Sequence, residues 1–255
     1  MKSKNDITIY DIARTLNISA STVSRGLSNH QSIREDTKKK ILKTAREMGY
    51  QHNTFASSLR KKRSNTIGVV LPRLNSYFMS TVVAGIEKKV NQNGYNLIIS
   101  QSQESVMKEM ANIETMYNSR VDGLLVSLAY DTENLKHFDY FFNKGIPVIF
   151  FDRVFEHPAC TSIVIDNYQA GYDATEHLIK QGCKRIMHLG GSLKRNVYMD
   201  RFKGYKQALA ENGISFQQSL VNISMLTELT GVDTAKKILG MKHLPDGIFK
   251  VSMRV

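Results

Sequence analysis

Cysteine is scarce in this 255-residue sequence, which contains only Cys160 and Cys183. The two residues do not have the spacing of metal ligands, so a cysteine-held zinc site is not expected. In a reducing compartment a disulfide between them is not expected either.

Long apolar runs are also missing. No stretch of about 18 or more apolar residues occurs, so the sequence predicts no membrane span. The N-terminus, MKSKNDITIYD, lacks the apolar segment of a signal peptide. We therefore expect a cytoplasmic protein.

Catalytic residue patterns are absent as well. We find no Ser/His/Asp set, carboxylate pair or metal-ligating cluster at a convincing spacing, and we expect no enzyme, no metal and no cofactor. The glycines of GGSLKRN, at 190 and 191, invite comparison with dinucleotide-binding folds. That segment lacks the full G-x-G-x-x-G spacing, which argues against a dinucleotide site.

Positive charge, in contrast, is concentrated at one end of the chain. The formal net charge is +12, and residues 1–63 hold 14 Lys and Arg against 5 Asp and Glu. The remaining three quarters of the chain are near neutral. A basic head on such a body indicates a polyanionic partner.

The stretch Thr8–Asn29 predicts a helix-turn-helix. Apolar residues recur at helical spacing on both sides of a turn at 16–18, where Asn17 suits a positive φ. Ser19 is a candidate N-cap for the second helix, and Val23 and Leu27 face inward. Small or polar side chains face outward on that helix: Ala20, Ser21, Ser24 and Arg25. The alternative is an ordinary helical hairpin with a polar face.

A third helix is predicted to complete the head, with Ser32 as N-cap and Glu35 closing a capping box. Its predicted inward face consists of Ile33, Thr37, Ile41, Leu42, Ala45 and Met48. Its predicted solvent or phosphate face consists of Lys38, Lys39, Lys40, Lys43 and Arg46. Gly49 is expected to end the helix.

The segment after the third helix has two interpretations. Asn53 is positioned to cap a short helix over 54–59, followed by the basic run 60–63. The segment is either a flexible basic linker or a helix that orders only on DNA, where two copies meet in the minor groove and Leu59 wedges a base step.

The remainder of the chain alternates strand-like and helix-like segments, as in a parallel α/β sheet. The predicted strands are 67–71, 96–100, 124–127, 148–151, 162–165, 185–189 and one beginning at 247–249. The predicted helices are 78–93, 106–119, 168–181, 201–212 and 232–239. Ligands of such sheets bind at the carboxyl ends of the strands. Polar and aromatic residues follow these ends at 75–78, 152–153, 166–167 and 190–196, with Arg201 opening the next helix.

These motifs together resemble the lactose-repressor/galactose-repressor family of bacterial transcription regulators. The resemblance rests on YDIARTLNISASTVSR, EMGY, NTFASSLRKK and TIGVVLP, in that order, and extends from about residue 7 to 249. It implies a DNA-binding helix-turn-helix head (1–52), a hinge helix and linker (53–65), and a two-lobed α/β core like periplasmic sugar-binding proteins, with lobes 66–160 and 161–255.

The resemblance also implies site residues. Positions matching base-reading residues are Ala20, Ser21 and Arg25, and those matching phosphate contacts are Tyr10, Ser19 and Ser24. We add Thr8 to the DNA-binding set, and the hinge residues are Asn53, Ala56 and Leu59. The effector pocket would use Tyr77 and Phe78 as an aromatic wall. Its hydrogen-bonding groups would be Asp152, Arg153, Arg195, Asn196 and Arg201.

Three residues depart from the family pattern. Gly26 stands where Ala or Val is usual, and an interior glycine weakens a helix by roughly 1 kcal/mol. Ser28 replaces a frequent Asn, and His52 replaces a frequent Pro. None of these changes removes a base-reading group.

The functional expectation is a sequence-specific repressor. It would bind a near-palindromic DNA operator as a homodimer and respond to a sugar or nucleobase-like metabolite held between the lobes. The competing hypothesis is a small-molecule binding module without regulatory activity.

The end of the sequence raises a third hypothesis. After LPDGIF the chain closes with KVSMRV, where the family continues for some eighty residues. We therefore expect a truncated or frame-shifted product with an incomplete second lobe, which is aggregation-prone, inert, or able to interfere with a full-length relative by mixed dimerisation. The alternative is a natural short form whose fold closes differently.

Overall fold

A computed structural model describes residues 7–50 and 63–251. The chain divides into two compact units, Met1–Lys62 and Arg63–Val255, each with its own core. The predicted hinge helix lies outside the described residues, so its structure is not tested. In the described ranges, no helix has the length and apolar character needed to cross a membrane.

The first unit contains three helices: α1 (Ile9–Leu16), α2 (Ala20–Leu27) and α3 (Glu35–Glu47). Their shared core consists of Ile12, Ala13, Val23, Ile41 and Ala45. The helix-turn-helix and its supporting third helix are therefore present. Asn17 adopts φ 52° at the turn, as predicted, and the Ser19 hydroxyl accepts the Thr22 N–H at 3.1 Å as an N-cap.

The predicted start of α3 is wrong. The helix begins at Glu35 with Arg34 as N-cap, and the Ser32 hydroxyl instead lies 2.9 Å from His30 Nδ1. The predicted C-terminal end is confirmed, since Gly49 follows the helix with φ +69°.

The inward face of α3 also differs at two positions. Leu42 is 43% exposed, whereas Lys38 is 7% exposed. Lys38 lies on the same stripe as Ile41 and Ala45, which are spaced at i,i+3 and i,i+4 along the helix. Leu42 lies at the edge of that stripe, on the side away from Ile41. The long stem of Lys38 is buried while its ammonium reaches Glu35 at 2.7 Å, so a lysine occupies a core-facing position.

The first sheet of the second unit has five parallel strands in the order β2-β1-β3-β4-β5. They are β1 (Thr66–Leu71), β2 (Asn96–Gln101), β3 (Gly123–Val126), β4 (Val148–Phe151) and β5 (Thr161–Ile163). The helices of this part are α4 (Tyr77–Gln92), α5 (Val106–Asn118) and α6 (Asp139–Asn143), and a 3₁₀ turn spans Lys136–Phe138.

Alternating residues of β1 pack on opposite faces of this sheet. Val70 lies in a cluster with Ile113 of α5 and Phe150, and Val69 lies in a second cluster with Met79 of α4. Burial on both faces accounts for the continuous apolar runs of these strands.

The second sheet has three parallel strands in the order β7-β6-β8. They are β6 (Ile186–Gly190), β7 (Val221–Ile223) and β8 (Gly247–Lys250). The surrounding helices are α7 (Asn167–Lys180), α8 (Asn196–Glu211) and α9 (Glu228–Leu239), and a 3₁₀ turn spans Gln218–Leu220.

Three features of this unit differ from the sequence prediction. Helix α8 begins at Asn196 rather than Arg201, and α6 and β7 were not predicted. The first sheet also extends past the predicted lobe boundary at 160, because β5 pairs with β4. We call the parts that contain the first and second sheets the first and second lobes.

Each lobe ties the starts of two neighbouring strands together in the same way. Asp122, just before β3, accepts the backbone N–H groups of Ser64 at 2.9 Å and Asn65 at 2.8 Å. Asp246, just before β8, accepts those of Lys184 at 2.9 Å and Arg185 at 2.7 Å. In both lobes one carboxylate therefore ties the starts of two neighbouring strands together, β1 to β3 in the first lobe and β6 to β8 in the second.

Helices α7 and α8 cross with their backbones in contact. A Cβ added at Gly204 would lie less than 3 Å from the Tyr168 carbonyl and the Tyr172 nitrogen. One added at Gly171 would lie less than 3 Å from backbone atoms of Arg201. Only glycine fits at this crossing, which fixes the position of the first turns of α8.

Candidate functional site

Helix α2 has a buried face that packs in the head core and an exposed polar face on its other side. Val23 and Gly26 are buried in the head core, whereas Ser21 and Arg25 are exposed and one turn apart. A Cβ at Gly26 would lie 2.5 Å from Ile41 Cδ1, so the Ile41 side chain fills the space that a larger residue would need. The glycine thus allows α2 to pack closely on α3.

The Arg25 guanidinium pairs with no carboxylate among the described residues. Tyr10 is 67% exposed. Four basic residues on α3 are also exposed: Lys39, Lys40, Lys43 and Arg46. Among its described residues, the first unit therefore carries an exposed guanidinium without a carboxylate partner on α2 and four exposed basic side chains on α3.

The other predicted DNA-contacting side chains are partly engaged inside the head. The Thr8 N–H and hydroxyl both donate to Asp11 Oδ2, at 2.9 and 2.7 Å, and these bonds lower the pKa of Asp11. The Ser19 hydroxyl also contacts the Ser21 hydroxyl at 2.8 Å. Ala20 and Ser24 are half-buried.

In the second unit, Arg153 links the two lobes. From the end of β4, its Nη1 donates to Glu104 Oε2 at 2.6 Å, and its Nη2 donates to the Tyr198 hydroxyl of α8 at 2.9 Å. Only 11% of either the Arg153 or the Glu104 side chain is exposed. Burial disfavours the charge of Arg153, but Tyr198, Glu104 and Asp152 together outweigh it and raise the Arg153 pKa.

Asn196 forms a second link. Its Nδ2 donates to the Asp152 carbonyl at 3.0 Å, and its Oδ1 accepts the Val154 N–H at 3.1 Å. Both ends of the amide are engaged, so the side chain joins α8 to the backbone that follows β4.

Arg195 forms a third link. It is 3% exposed and donates from Nη2 to the Thr132 carbonyl, while its Nε has no partner among the described residues. Burial lowers the Arg195 pKa, and the nearby charge of Arg153 lowers it further. The loop that carries Thr132 is held by the fully buried Glu109, which accepts the Ala129 N–H at 2.6 Å.

Asp152 and Arg201 complete this cluster. Asp152 has φ +59°, and its carboxylate accepts the Ser127 hydroxyl at 3.3 Å. Burial raises the Asp152 pKa, while Arg153 and Arg201 oppose that rise. Arg201 donates to Asn167 Oδ1 at 2.9 Å and to the Val251 carbonyl at 2.5 Å.

A cavity of about 420 Å³ lies beside the carboxyl ends of β1 and β2. Its lining residues are Arg73, Leu74, Asn75, Gln101 and Gln103. Tyr77 and Phe78 begin α4 nearby in sequence, but they are 78% and 49% exposed. No group of three or more His, Cys, Asp or Glu side chains in the described parts could hold a metal.

Comparison with known proteins identifies the family. A family model described as bacterial regulatory proteins, lacI family, matches residues 8–53. A second, described as periplasmic binding proteins and sugar binding domain of LacI family, matches residues 64–247. The chain belongs to the LacI family. It is a DNA-binding transcriptional regulator, in a family of regulators rather than enzymes.

Two relatives illustrate the extent of this likeness. Catabolite control protein A of Priestia megaterium is 31% identical over 96% of this chain and 73% of its own length. The HTH-type transcriptional regulator RegA of Clostridium saccharobutylicum is 32% identical over 94% of this chain and 72% of its own length.

A solved structure supports the LacI-family fold. The Lac repressor dimer bound to operator and an anti-inducer superimposes with a TM-score of 0.82 at 22% identity, over 96% of this chain and 74% of that chain. The predicted helix-turn-helix head and two-lobed parallel α/β core are thus confirmed.

The structure brings together five of the seven LacI-type effector residues predicted from the sequence. Asp152, Arg153, Asn196 and Arg201 converge between the lobes, and Arg195 bonds to Thr132 on the adjoining loop. Tyr77 and Phe78 have no ring contact within the described ranges. The predicted DNA contacts Asn53, Ala56 and Leu59, together with the departure at His52, lie outside the described residues.

Sequence reasoning missed Glu104 and Tyr198. Glu104 follows β2 at the same edge of the sheet as Arg153, so the rule that placed Arg153 there would also have found it. Tyr198 was missed because α8 was predicted to begin five residues too late.

Proposed function

We propose that this LacI-family chain is a repressor that binds a near-palindromic operator as a homodimer in the cytoplasm. We further propose that a small metabolite, of sugar type, binds between the lobes and changes operator affinity. The observation that carries the DNA-binding part is Arg25, which lies on the exposed face of α2 and whose guanidinium pairs with no carboxylate in the part of the chain that the structure describes.

Helix α2 has the features of a recognition helix. Its buried face and the cap at Ser19 fix its direction, and its exposed face begins with small side chains that allow close approach to base edges. A guanidinium bonds bidentately to guanine O6 and N7, so Arg25 is our candidate for base readout. Ser21 and Ala20 lie beside it, and Tyr10, Ser19, Ser24 and Thr8 are candidates for backbone contacts.

The Arg25 assignment is tested by selecting bound DNA from a random pool with the full chain, then measuring operator affinity by gel shift. Arg25→Ala should weaken specific binding by roughly 1–3 kcal/mol and relax the preference at one base position in each half-site. Arg14→Ala is the matched control, because Arg14 is an exposed cation of the same head with 81% of its side chain accessible. An unchanged base preference in Arg25→Ala would contradict the assignment of Arg25 to base readout.

The regulatory part rests on the three links between the lobes. A ligand that binds one arrangement of the lobes better than another shifts the population toward it. Arg153, Asn196 and Arg195 all lie at the boundary between the lobes. A ligand that binds there would either replace the hydrogen bonds of these side chains or add further ones to them. We infer that this change alters the spacing of the two heads in the dimer.

The same selected DNA tests regulation. Adding candidate metabolites should change operator affinity, and affinity should fall steeply as salt rises because phosphate contacts release counterions. Metabolite binding without any selected DNA sequence would favour the alternative, a small-molecule binding module without regulatory activity.

A further inference from the structure

We propose that the effector of this protein is an anion, with a phosphoryl or carboxylate group that replaces the Glu104 carboxylate on Arg153. The inference rests on the proposed function, because it names the chemical class of the ligand that binds between the lobes. It starts from the pairing geometry of Arg153.

Glu104 occupies the position that a ligand anion would take. Arg153 donates to both of its carboxylate oxygens, at 2.6 and 3.3 Å, and Arg73 Nε lies 3.6 Å from Oε1. The planar fork of arginine fits carboxylate and phosphate equally well. An oxyanion of either kind could therefore take over these contacts.

The backbone that carries Glu104 is strained. Gln103 and Glu104 both have positive φ, 52° and 65°, although neither is glycine. Residues held in this region cost free energy and cluster at ligand clamps and switches. The 420 Å³ cavity, lined by Gln103 and Arg73, provides space for the incoming ligand next to this segment.

The charges around Arg153 favour an anion over a neutral ligand. Arg153 lies beside two carboxylates, Glu104 and Asp152. Three further arginines surround this group: Arg73 faces Glu104, Arg201 faces Asp152, and Arg195 lies near Arg153 itself. The more distant carboxylates Glu109, Asp131 and Glu133 face Arg195 from the adjoining loop. A neutral ligand that displaced Glu104 would leave a buried, unpaired guanidinium, which is strongly unfavourable.

Matched pairs of probes test this inference in the full chain. We would measure Kd by calorimetry for glucose, glucose 6-phosphate and glucuronate, with inorganic phosphate as the minimal anion. The anionic sugars should bind about 10- to 100-fold more tightly than glucose, the value of one charge-assisted hydrogen bond pair. The phosphate and glucuronate arms distinguish a phosphoryl ligand from a carboxylate ligand.

Two variants identify the groups responsible. Arg153→Gln should reduce the anion preference to about threefold or less, whereas Lys180→Gln, which removes one exposed cation, should keep it. Glu104→Gln should tighten anion binding about tenfold without changing glucose binding, because the internal competitor has lost its charge. Glu176→Gln is the matched control for that change.

Several outcomes would overturn the proposal. These are equal affinity for glucose and the anions, no binding of any anion in the panel, or loss of all binding in Glu104→Gln. If Arg153→Gln does not fold, the affinities measured with Glu104→Gln still test the proposal. Failure of the proposed function is recognised separately, because ligands would then bind without changing operator affinity in the gel shift.

Discussion

Replacement of Gly204 by alanine tests the close crossing of α7 and α8. The new Cβ would meet the Tyr168 carbonyl and the Tyr172 nitrogen at less than 3 Å. Both contacts are with backbone, so no side-chain rotation relieves them and the helices must separate.

The expected magnitude combines two opposing effects. Overpacking costs roughly 1–3 kcal/mol and more where backbone must shift, while alanine gains about 0.5–1 kcal/mol over glycine in a helix. We expect a net loss of about 2 kcal/mol, which for a unit of this size lowers the melting temperature by about 4–8 °C.

Gly85→Ala provides the control. Gly85 lies in the middle of α4, and a Cβ there would meet nothing within 4 Å. This variant should gain only the free energy by which alanine favours a helix over glycine, and its melting temperature should rise by about 1–4 °C. Both melts are recorded by far-UV circular dichroism. An unchanged melting temperature for Gly204→Ala beside a raised one for Gly85→Ala would refute the close crossing.

Three further predictions follow from other contacts. His188 is fully buried between Phe202, Tyr205 and Phe249, and burial lowers its pKa to about 4. The unfolded chain therefore binds this proton first, so stability should fall by up to about 3 kcal/mol from pH 6.5 to 4. His188→Phe should flatten that dependence in melts recorded across this range. Ser19→Ala should destabilise the head by about 1 kcal/mol through loss of the α2 cap, whereas Ser21→Ala should not, as read from head amide exchange by NMR. Asn196→Ala should lower the urea midpoint because it leaves the Val154 N–H unpaired, at a cost of about 1–3 kcal/mol, and Asn196→Asp should recover part of it by restoring an acceptor. Equal midpoints for the two Asn196 variants would argue against that bond.

Local signals in the sequence predicted the head well. Asn17, Ser19 and Gly49 each satisfy a backbone requirement set by their immediate neighbours, and all three behave as expected. The prediction failed where packing between helices determines the start of a helix or the burial of a side chain. Ser32 and Glu35 have capping-box spacing, but the chain turns into α3 two residues later. Lys38 is buried because its stem completes the Ile41 stripe.

At the boundary between the lobes, too, local signals in the sequence were sufficient for some residues, and contacts distant in sequence determined others. Asp152 and Arg153 were expected at the lobe boundary because they directly follow β4, whose short apolar run is easily recognised as a buried strand. The early start of α8 was not predicted because Asn196 is fixed by Asp152 and Val154, which are more than forty residues away in the chain. Helix α6 has five residues, too few for a periodic pattern to emerge.

The carboxylates Asp122 and Asp246 occupy the same place in the two lobes. Asp122 stands directly before β3 and holds the two residues that precede β1, and Asp246 stands directly before β8 and holds the two residues that precede β6. The strand order β2-β1-β3 of the first lobe recurs as β7-β6-β8 in the second. The two carboxylates lie roughly 120 positions apart, a period far longer than those of solenoid repeats. Each lobe secures its own strands, so these bonds would be kept if one lobe rotated against the other. Any rotation would then be borne by the links at Arg153, Arg195 and Asn196.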